Sequence, residues 1–109
     1  MTSIDDFLKL DLRVGTVLEA KFFKEAKKPA LKLKIDFGDY GIKQSSAQIT
    51  DNYLPADLIG IQVIAIVNFP PLRVAGYKSE VLVLGAVPKD EKVVLLKPDF
   101  KVPNGTKIG

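Results

Sequence analysis

Two stretches in the first part of the chain, residues 12–22 and 31–37, alternate between apolar and polar residues. Because successive side chains of a β-strand point to opposite faces, this period of two predicts strands with one face on a core and the other in water. Such half-buried strands are typical of antiparallel sheets. On the second strand, the pattern places four residues inward: Leu31, Leu33, Ile35 and Phe37. On the first strand, five residues share one face: Val14, Thr16, Leu18, Ala20 and Phe22.

The rest of the chain supplies further short strands and two helical pieces. Ser3 followed by Asp6 fits a capped helix start, and Pro55 interrupts a second helical segment that Gly60 ends. The tail, with two prolines and two glycines, is expected to be extended and irregular. The predicted order is a helix within residues 1–10, strands at 12–22, 31–37 and 42–49, a helical segment at 52–58, strands at 61–67, 81–84 and 93–96, and a tail from 98 to 109.

Five or six short strands with a helical insert after the third predict a small all-β barrel. The five-stranded Greek-key oligonucleotide/oligosaccharide-binding (OB) barrel has its helix between strands three and four, as this order requires. A small sandwich is the alternative. The length of 109 residues predicts one domain spanning residues 1–109.

The chain contains no cysteine and no histidine. Their absence removes disulfides, thiolate metal sites, the commonest general base and the commonest transition-metal ligand. The acidic residues are scattered, without the pairing of a magnesium or glycosidase site. These features favour a binding protein over an enzyme, and we expect no cofactor and no metal ion.

The N-terminal residues show neither the basic segment nor the apolar run of a signal peptide. No apolar stretch approaches the roughly 18 residues that a membrane span needs. We therefore expect a cytoplasmic protein without membrane insertion.

Basic residues are concentrated in two segments of the chain. Residues 21–43 carry seven lysines against three acidic residues, and residues 73–109 are also net positive. Lys32 and Lys34 share the outward face of one predicted strand, with Arg13 and Lys21 outward on the strand before it. A cationic patch of this kind predicts modest, salt-sensitive affinity for phosphate. The alternative is an ordinary solvated lysine surface.

The segment from Lys43 to Gln48 places five polar side chains in one strand and its exit. Glutamine and serine can bond to phosphate, ribose, base edges or a peptide backbone. The alternative interpretation is an internal hydrogen-bond network that closes the barrel, because buried polar groups need partners.

The segment from Asn68 to Gly85 begins with a double proline that cannot donate to a sheet and therefore forces an extended corner. Gly76 is expected to supply a turn between the cations Arg73 and Lys78. Phe69 and Tyr77 can stack on bases or pack in the core.

Four motifs in order, and the tail, resemble the CsaA secretion-chaperone family within the wider tRNA-binding domain superfamily. That superfamily includes the C-terminal domain of methionyl-tRNA synthetase. The motifs are LDLRVG at 10–15, GIKQSSAQI at 41–49, VNFPP at 67–71 and RVAGYKSEVL at 73–82, with VPNG at 102–105.

The resemblance implies an OB barrel that dimerises through its N- and C-terminal extensions. It also implies an ATP-independent chaperone that holds unfolded export precursors and assists the general secretion machinery. The tRNA-binding relatives carry Ser, any residue, Gly, Met where this chain has residues 79–82, and a basic residue where it has Ala75. This departure favours polypeptide over RNA, and tRNA binding remains the alternative function.

Three sets of candidate residues follow. The expected peptide-binding residues are Phe69, Pro71, Leu72 and Tyr77. The expected nucleic-acid-binding residues are Lys32, Lys34, Lys43, Gln44, Ser46, Arg73, Lys78 and Ser79. The expected homodimer contacts, within segments 1–10 and 98–109, are Ile4, Phe7, Leu8, Val102 and Pro103.

Overall fold

The computed structural model describes all residues, 1–109, and its main sheet has the strand order β3-β2-β1-β4-β7 with antiparallel neighbours. This sheet curls into a nearly closed five-stranded barrel, which confirms the predicted all-β, OB-like fold. The helices are α1 (Ile4–Leu8) and α2 (Pro55–Leu58). The strands are β1 (Leu12–Phe22), β2 (Leu31–Asp36), β3 (Ile42–Ala47), β4 (Gln62–Ile66), β5 (Leu72–Val74), β6 (Tyr77–Ser79), β7 (Leu82–Val83), β8 (Gly85–Ala86) and β9 (Val94–Leu95).

The barrel core is built mainly from β2 and β4, as their apolar patterns predict. All four residues predicted to face inward from the second alternating stretch have no exposed surface: Leu31, Leu33, Ile35 and Phe37. Val63 and Ala65 of β4 are equally buried, and Leu58 of α2 covers one end of the same cluster. Lys32, Lys34 and Asp36 alternate with the core residues and face outward or partly outward.

The predicted inward face of β1 is wrong before and at a β-bulge and correct for Ala20 after it, which packs against the core, while Phe22 at the end of the strand is 53% exposed. The pairing with β2 shifts between Val17 and Glu19, so that Leu18 has no partner. Before the bulge, the inward positions are Gly15 and Val17. A Cβ on Gly15 would lie 2.6 Å from Cγ2 of Ile35, so only glycine fits there. Leu18 is consequently 41% exposed instead of buried.

Val14 and Thr16 lie on the opposite face of β1, where the C-terminal tail covers them. Val14 is buried but lies outside the core cluster, and its backbone exchanges hydrogen bonds with Gly105 and Thr106. The Thr16 hydroxyl donates to the Asn104 side chain at 2.6 Å. The extended tail therefore behaves as an additional strand against its own barrel.

Gln62 of β4 is the main anchor of the tail. Its side-chain amide donates to the Val102 carbonyl at 2.7 Å and to the Asn104 side chain at 3.2 Å, while its carbonyl oxygen accepts the Val102 N–H at 3.1 Å. Gln62 is only 9% exposed, so these bonds are shielded from water. One side chain thus makes three of the hydrogen bonds that hold a segment 40 residues away along the chain.

Both helices are short, and only α1 has a side-chain cap. The Ser3 side chain accepts the Asp6 N–H, and the Asp6 carboxylate accepts the Ser3 N–H, which confirms the predicted cap. The prediction that Pro55 interrupts the second helical segment is wrong. Pro55 is the first residue of α2, a position where a missing N–H is tolerated. Neither helix has the length and apolarity needed to cross a membrane.

The last strands are shorter than the sequence predicts. Only Leu82 and Val83 of the expected buried strand 81–84 pair with β4, and Leu82 is 48% exposed. The chain then turns into the small β8–β9 ladder, which lies outside the main sheet. Residues 81–84 therefore close the barrel at one end and are partly open to solvent at the other.

Replacing Gln62 with leucine keeps a similar volume but removes three hydrogen bonds to the tail. With a net value of about 1 kcal/mol for each bond, we expect a loss of about 2–3 kcal/mol in the free energy of unfolding. Urea denaturation followed by circular dichroism measures it. The control Gln48→Leu changes an exposed glutamine without tail contacts and should stay within about 0.5 kcal/mol of the parent. Equal losses in both variants would contradict the anchoring role.

Candidate functional site

A two-residue hairpin lies at the centre of the segment that the sequence marks as polar and proline-rich. β5 and β6 pair with Arg73 opposite Lys78, and Ala75 and Gly76 form the loop with φ angles of +48° and +83°. Two positive φ angles in a two-residue loop define a type I′ turn, whose twist matches that of the strands. The predicted turn at Gly76 is confirmed, with Ala75 in a left-handed conformation that is uncommon for alanine.

The hairpin and the residues after it dock on the free edge of β3. The Ser46 N–H donates to the Ser79 hydroxyl at 3.0 Å, and the Glu80 N–H donates to the Gln44 carbonyl at 2.8 Å. The Gln44 N–H donates to the Glu80 carboxylate at 3.1 Å, and the Gln44 side-chain amide donates to the Lys78 carbonyl at 2.8 Å. The polar segment 43–48 therefore forms the barrel-closing network that was one of its two interpretations.

Ser45 completes this network from the inside of the barrel. Its hydroxyl donates to the Val81 carbonyl at 2.9 Å, and its side chain is 1% exposed. No buried side-chain polar atom in the structure lacks a hydrogen-bond partner. The polar strand is thus compatible with a well-packed core because each inward polar atom is satisfied.

A groove of about 360 Å³ lies between the hairpin and the chain that follows it. We call it the hairpin groove. Three of its apolar side chains are large and exposed: Phe69 at 41%, Leu72 at 67% and Leu82 at 48%. Glu80 is its only charged residue. The complete lining is Ser46, Gln48, Phe69, Pro70, Leu72, Val74, Ser79, Glu80, Val81 and Leu82.

The hairpin groove brings together only part of the predicted peptide-binding set. Phe69 and Leu72 line it, whereas Pro71 is exposed and its neighbour Pro70 takes the lining position. Tyr77 lies on another surface, beside the lysines of β2. The groove also contains Val74 and Leu82, which the sequence analysis did not select; the alternation of Leu72 with Val74 was the signal for the first.

Lysines on neighbouring strands form a second surface, which we call the cationic face. Lys21 of β1 pairs directly with Lys32 of β2, and Lys34 pairs with Glu19 at 3.2 Å between Nζ and Oε2. Both members of this ion pair are about half exposed, so it contributes little to stability. A cavity of about 100 Å³ on this face is lined by Glu19, Lys21, Lys32, Leu33, Lys34 and Tyr77.

An aromatic pair lies beneath the lysines of the cationic face. The rings of Phe23 and Tyr77 meet edge to face with centroids 5.4 Å apart. The Lys32 ammonium lies 5.3 Å from the Phe23 centroid and 5.4 Å from the Tyr77 centroid. Burial raises the pKa of Tyr77, with smaller contributions from the nearby carboxylates of Glu80 and Glu19, so its phenol is neutral and can donate a hydrogen bond. The sequence analysis did not select Phe23, which follows directly after β1 and is buried beneath Lys32, outside the core cluster.

The other predicted nucleic-acid-binding residues lie around these two surfaces. Ser46 pairs with Lys32 and Gln44 with Lys34, so both extend the cationic face onto β3. Lys43 pairs with Ile35 and belongs to the opposite side of that strand. Arg73 and Lys78 are exposed on the hairpin, and the Arg73 guanidinium donates to the Gly76 carbonyl at 3.3 Å.

Arg13 does not join the cationic face. Its guanidinium bonds to Asp11 at 2.7 Å and lies 4.3 Å from the centroid of the Tyr40 ring. The acidic residues do not cluster either: no group of three or more carboxylates could hold a metal ion. The two surfaces therefore offer apolar contact, cations and hydrogen bonds, the means of a binding site.

Residues 12–107 match the sequence profile described as a putative tRNA binding domain. The chain is 36% identical over 108 residues to the methionine–tRNA ligase of Methanococcoides burtonii and 42% identical over 106 residues to that of Archaeoglobus fulgidus. It covers 16% of the length of each ligase. The chain belongs to the tRNA-binding domain family, as its motifs predict.

Two solved structures with the same fold carry the other name that the motifs suggest. The chaperone CsaA from Bacillus anthracis is 64% identical, with a TM-score of 0.96, over 100% of this chain and 99% of its own. The CsaA chaperone protein from Picrophilus torridus is 55% identical, with a TM-score of 0.94, over 100% of both chains. The resemblance to both the tRNA-binding domain and the CsaA family is therefore confirmed.

Proposed function

We propose that this protein is a CsaA-like chaperone that binds unfolded polypeptide in the hairpin groove. The observation that carries the proposal is the cluster of exposed Phe69, Leu72 and Leu82 around one groove. Contiguous apolar surface of this kind on a small domain marks a place where a partner docks. Similarity over the full chain to two proteins named as CsaA chaperones supports the same function.

The composition of the groove suits an unfolded segment better than a folded ligand. Exposed apolar side chains attract the residues that a folded protein would bury, and the exposed Leu72 and Leu82 leave room for different side chains. Glu80 and the nearby cations Arg73 and Lys78 place charge at the border of the groove. We propose that export precursors, presented to the general secretion machinery in the cytoplasm, are the physiological cargo. The protein acts by binding and without catalysis.

Introducing a charge into the hairpin groove should reduce this activity. We expect Leu72→Asp to bind a urea-denatured export precursor roughly tenfold more weakly, because the carboxylate must lose water to contact apolar side chains. Light scattering of the precursor after dilution measures the protection. Ile59→Asp is the matched control, since Ile59 is 50% exposed and lies outside the groove. Equal loss in both variants, or no protection by the parent, would refute the proposal.

The second candidate function is tRNA binding through the cationic face, which membership of the tRNA-binding domain family favours. Lys32, Lys34 and Ser46 would contact the sugar-phosphate backbone from the barrel, and Arg73, Lys78 and Ser79 from the hairpin. Gln44 would extend this surface on β3, whereas Lys43 lies on the opposite side of that strand. Stacking on Tyr77 is compatible with its position beside Lys32.

Removing a phosphate-contacting cation should lower the salt dependence of tRNA binding. We expect Lys34→Ala and Arg73→Ala each to reduce the slope of log affinity against log salt by about 1, since each contact releases counterions. Filter binding over a salt series measures the slope. Lys89→Ala removes an exposed lysine from a distant turn and should leave the slope unchanged. Affinity for tRNA equal to that for polyphosphate would exclude specific recognition.

We also propose that the protein is a homodimer whose contacts include helix α1. This helix buries no residue in its own chain, and Ile4 and Leu8 are 70% and 62% exposed. A helix this short is not stable alone and needs a surface to dock on. Phe7, with Val102 and Pro103 of the tail, completes the proposed contact set.

The double variant Ile4→Ser/Leu8→Ser should shift the dimer toward monomer, because it removes apolar area from the proposed interface. Light scattering coupled to size-exclusion chromatography should show a halved mass at low micromolar concentration. Asp5→Ser on the same helix is the control and should leave the mass unchanged. An unaltered dimer in the double variant would exclude α1 from the interface.

A further inference from the structure

The C-terminal tail contains an asparagine that directly precedes a glycine, Asn104–Gly105. In water, the backbone nitrogen that follows an asparagine can attack the side-chain Cγ, and glycine hinders this approach least because it has no side chain. A succinimide ring forms, the side-chain nitrogen leaves as ammonia, and the proton of the attacking nitrogen leaves with it. Water then opens the ring to aspartate or isoaspartate, so one water is consumed for each ammonia released.

The fold needs both residues of this reactive pair. Gly105 has a φ angle of +90°, and a Cβ there would lie 2.6 Å from the Phe37 carbonyl oxygen, so another residue would be strained and would collide with the backbone. The side-chain oxygen of Asn104 accepts hydrogen bonds from the Thr16 hydroxyl at 2.6 Å and from the Gln62 amide at 3.2 Å. The pair is therefore part of the contact that docks the tail on the barrel.

The docked tail restrains both reacting groups. The Gly105 N–H, whose nitrogen would attack, donates to the Val14 carbonyl at 2.7 Å. The Asn104 side chain is fixed by its bonds to Thr16 and Gln62, so it is not free to rotate toward that nitrogen. Reaction therefore requires these hydrogen bonds to break first, which happens only when the tail opens.

The tail can open without unfolding of the barrel. The five-stranded sheet is complete without it, and its pairing with β1 is limited to an isolated bridge between Arg13 and Lys107 and the neighbouring backbone bonds. No tail residue belongs to the core cluster. Segments of this kind open locally at a lower free energy than global unfolding requires.

We propose that Asn104–Gly105 is a deamidation site that the docked tail protects, and that isoaspartate formation there permanently releases the tail. Isoaspartate adds one carbon atom to the main chain, so the residues beyond it lose their register with β1. The aspartate product differs, because it keeps the main-chain length and its carboxylate still accepts from Thr16 and Gln62. The reaction thus records tail opening irreversibly. This inference is independent of both proposed binding functions.

The first experiment compares the full chain with a synthetic peptide of residues 102–107, Val-Pro-Asn-Gly-Thr-Lys, in the same mildly alkaline buffer. Trypsin releases the same segment from the protein by cleaving after Lys101 and Lys107, and mass spectrometry measures conversion of amide to acid. We expect the protein to react at least about tenfold more slowly, since the tail is open for only a small fraction of the time. Asn52 and Asn68, each followed by an aromatic residue, are internal controls that should keep their amides. Equal rates in protein and peptide would overturn the protection.

Two variants separate opening of the tail from unfolding of the whole chain. Gln62→Leu removes three hydrogen bonds to the tail and should accelerate deamidation of Asn104 by at least about tenfold. Leu58→Ala weakens the barrel core but leaves the hydrogen bonds of the tail in place, so it should react as the parent does under conditions where it stays folded. Equal acceleration in both variants, or none in Gln62→Leu, would overturn control by the docked tail.

Hydrogen exchange tests the release of the tail. The Val14 N–H donates to the Thr106 carbonyl, and the Ile108 N–H donates to the Leu12 carbonyl, each at 2.9 Å. In the isoaspartate form, separated by ion-exchange chromatography after ageing, we expect both amides to exchange at least about tenfold faster. Freshly prepared Asn104→Asp keeps the main-chain length and should retain the parent's protection. Parent-like protection in the isoaspartate form would overturn the release of the tail.

Discussion

Closure of the barrel between β3 and residues 79–81 is the interaction on which the rest of the structure depends. Four antiparallel ladders join the five strands of the sheet, but β3 and the segment after the hairpin meet mainly through the side chains of Ser45, Ser79 and Glu80. Side chains that bond to backbone groups join two strands without requiring a full ladder. The barrel can therefore be well packed at one end of this contact and open at the other.

This partial closure places both candidate surfaces. The hairpin that provides Ser79 also carries Leu72 and Arg73, so the contact that closes the barrel positions an apolar groove next to exposed cations. The cationic face lies across β1 and β2, with Tyr77 of the same hairpin beneath Lys32. A small rigid barrel can in this way present one surface to polypeptide and another to a polyanion. The full-length similarity to CsaA structures corresponds to the polypeptide surface, and membership of the tRNA-binding domain family corresponds to the polyanion surface.

The tail and the N-terminal helix extend the barrel in different ways. The tail covers the outer face of β1, where Gln62, Thr16 and the backbone of Val14 hold it. Helix α1 buries none of its own residues and is tied to the segment before the hairpin through Asn68, which accepts from Asp11 and donates to Lys9. The same asparagine thus links the proposed dimer helix to the entrance of the hairpin groove.

The sequence by itself determined the fold class, the inward face of β2, the first helix cap and the turn at Gly76, because each depends on local periodicity or local backbone preference. The sequence motifs were sufficient to identify the family. Tertiary structure decided the faces of β1, where a bulge shifts the register and no local pattern reveals the shift. It also separated Tyr77 from Phe69 and Leu72 and removed Arg13 from the lysine cluster. Contacts between residues far apart in sequence set these positions, so the candidate site could be named from its residues but assembled only from the folded chain.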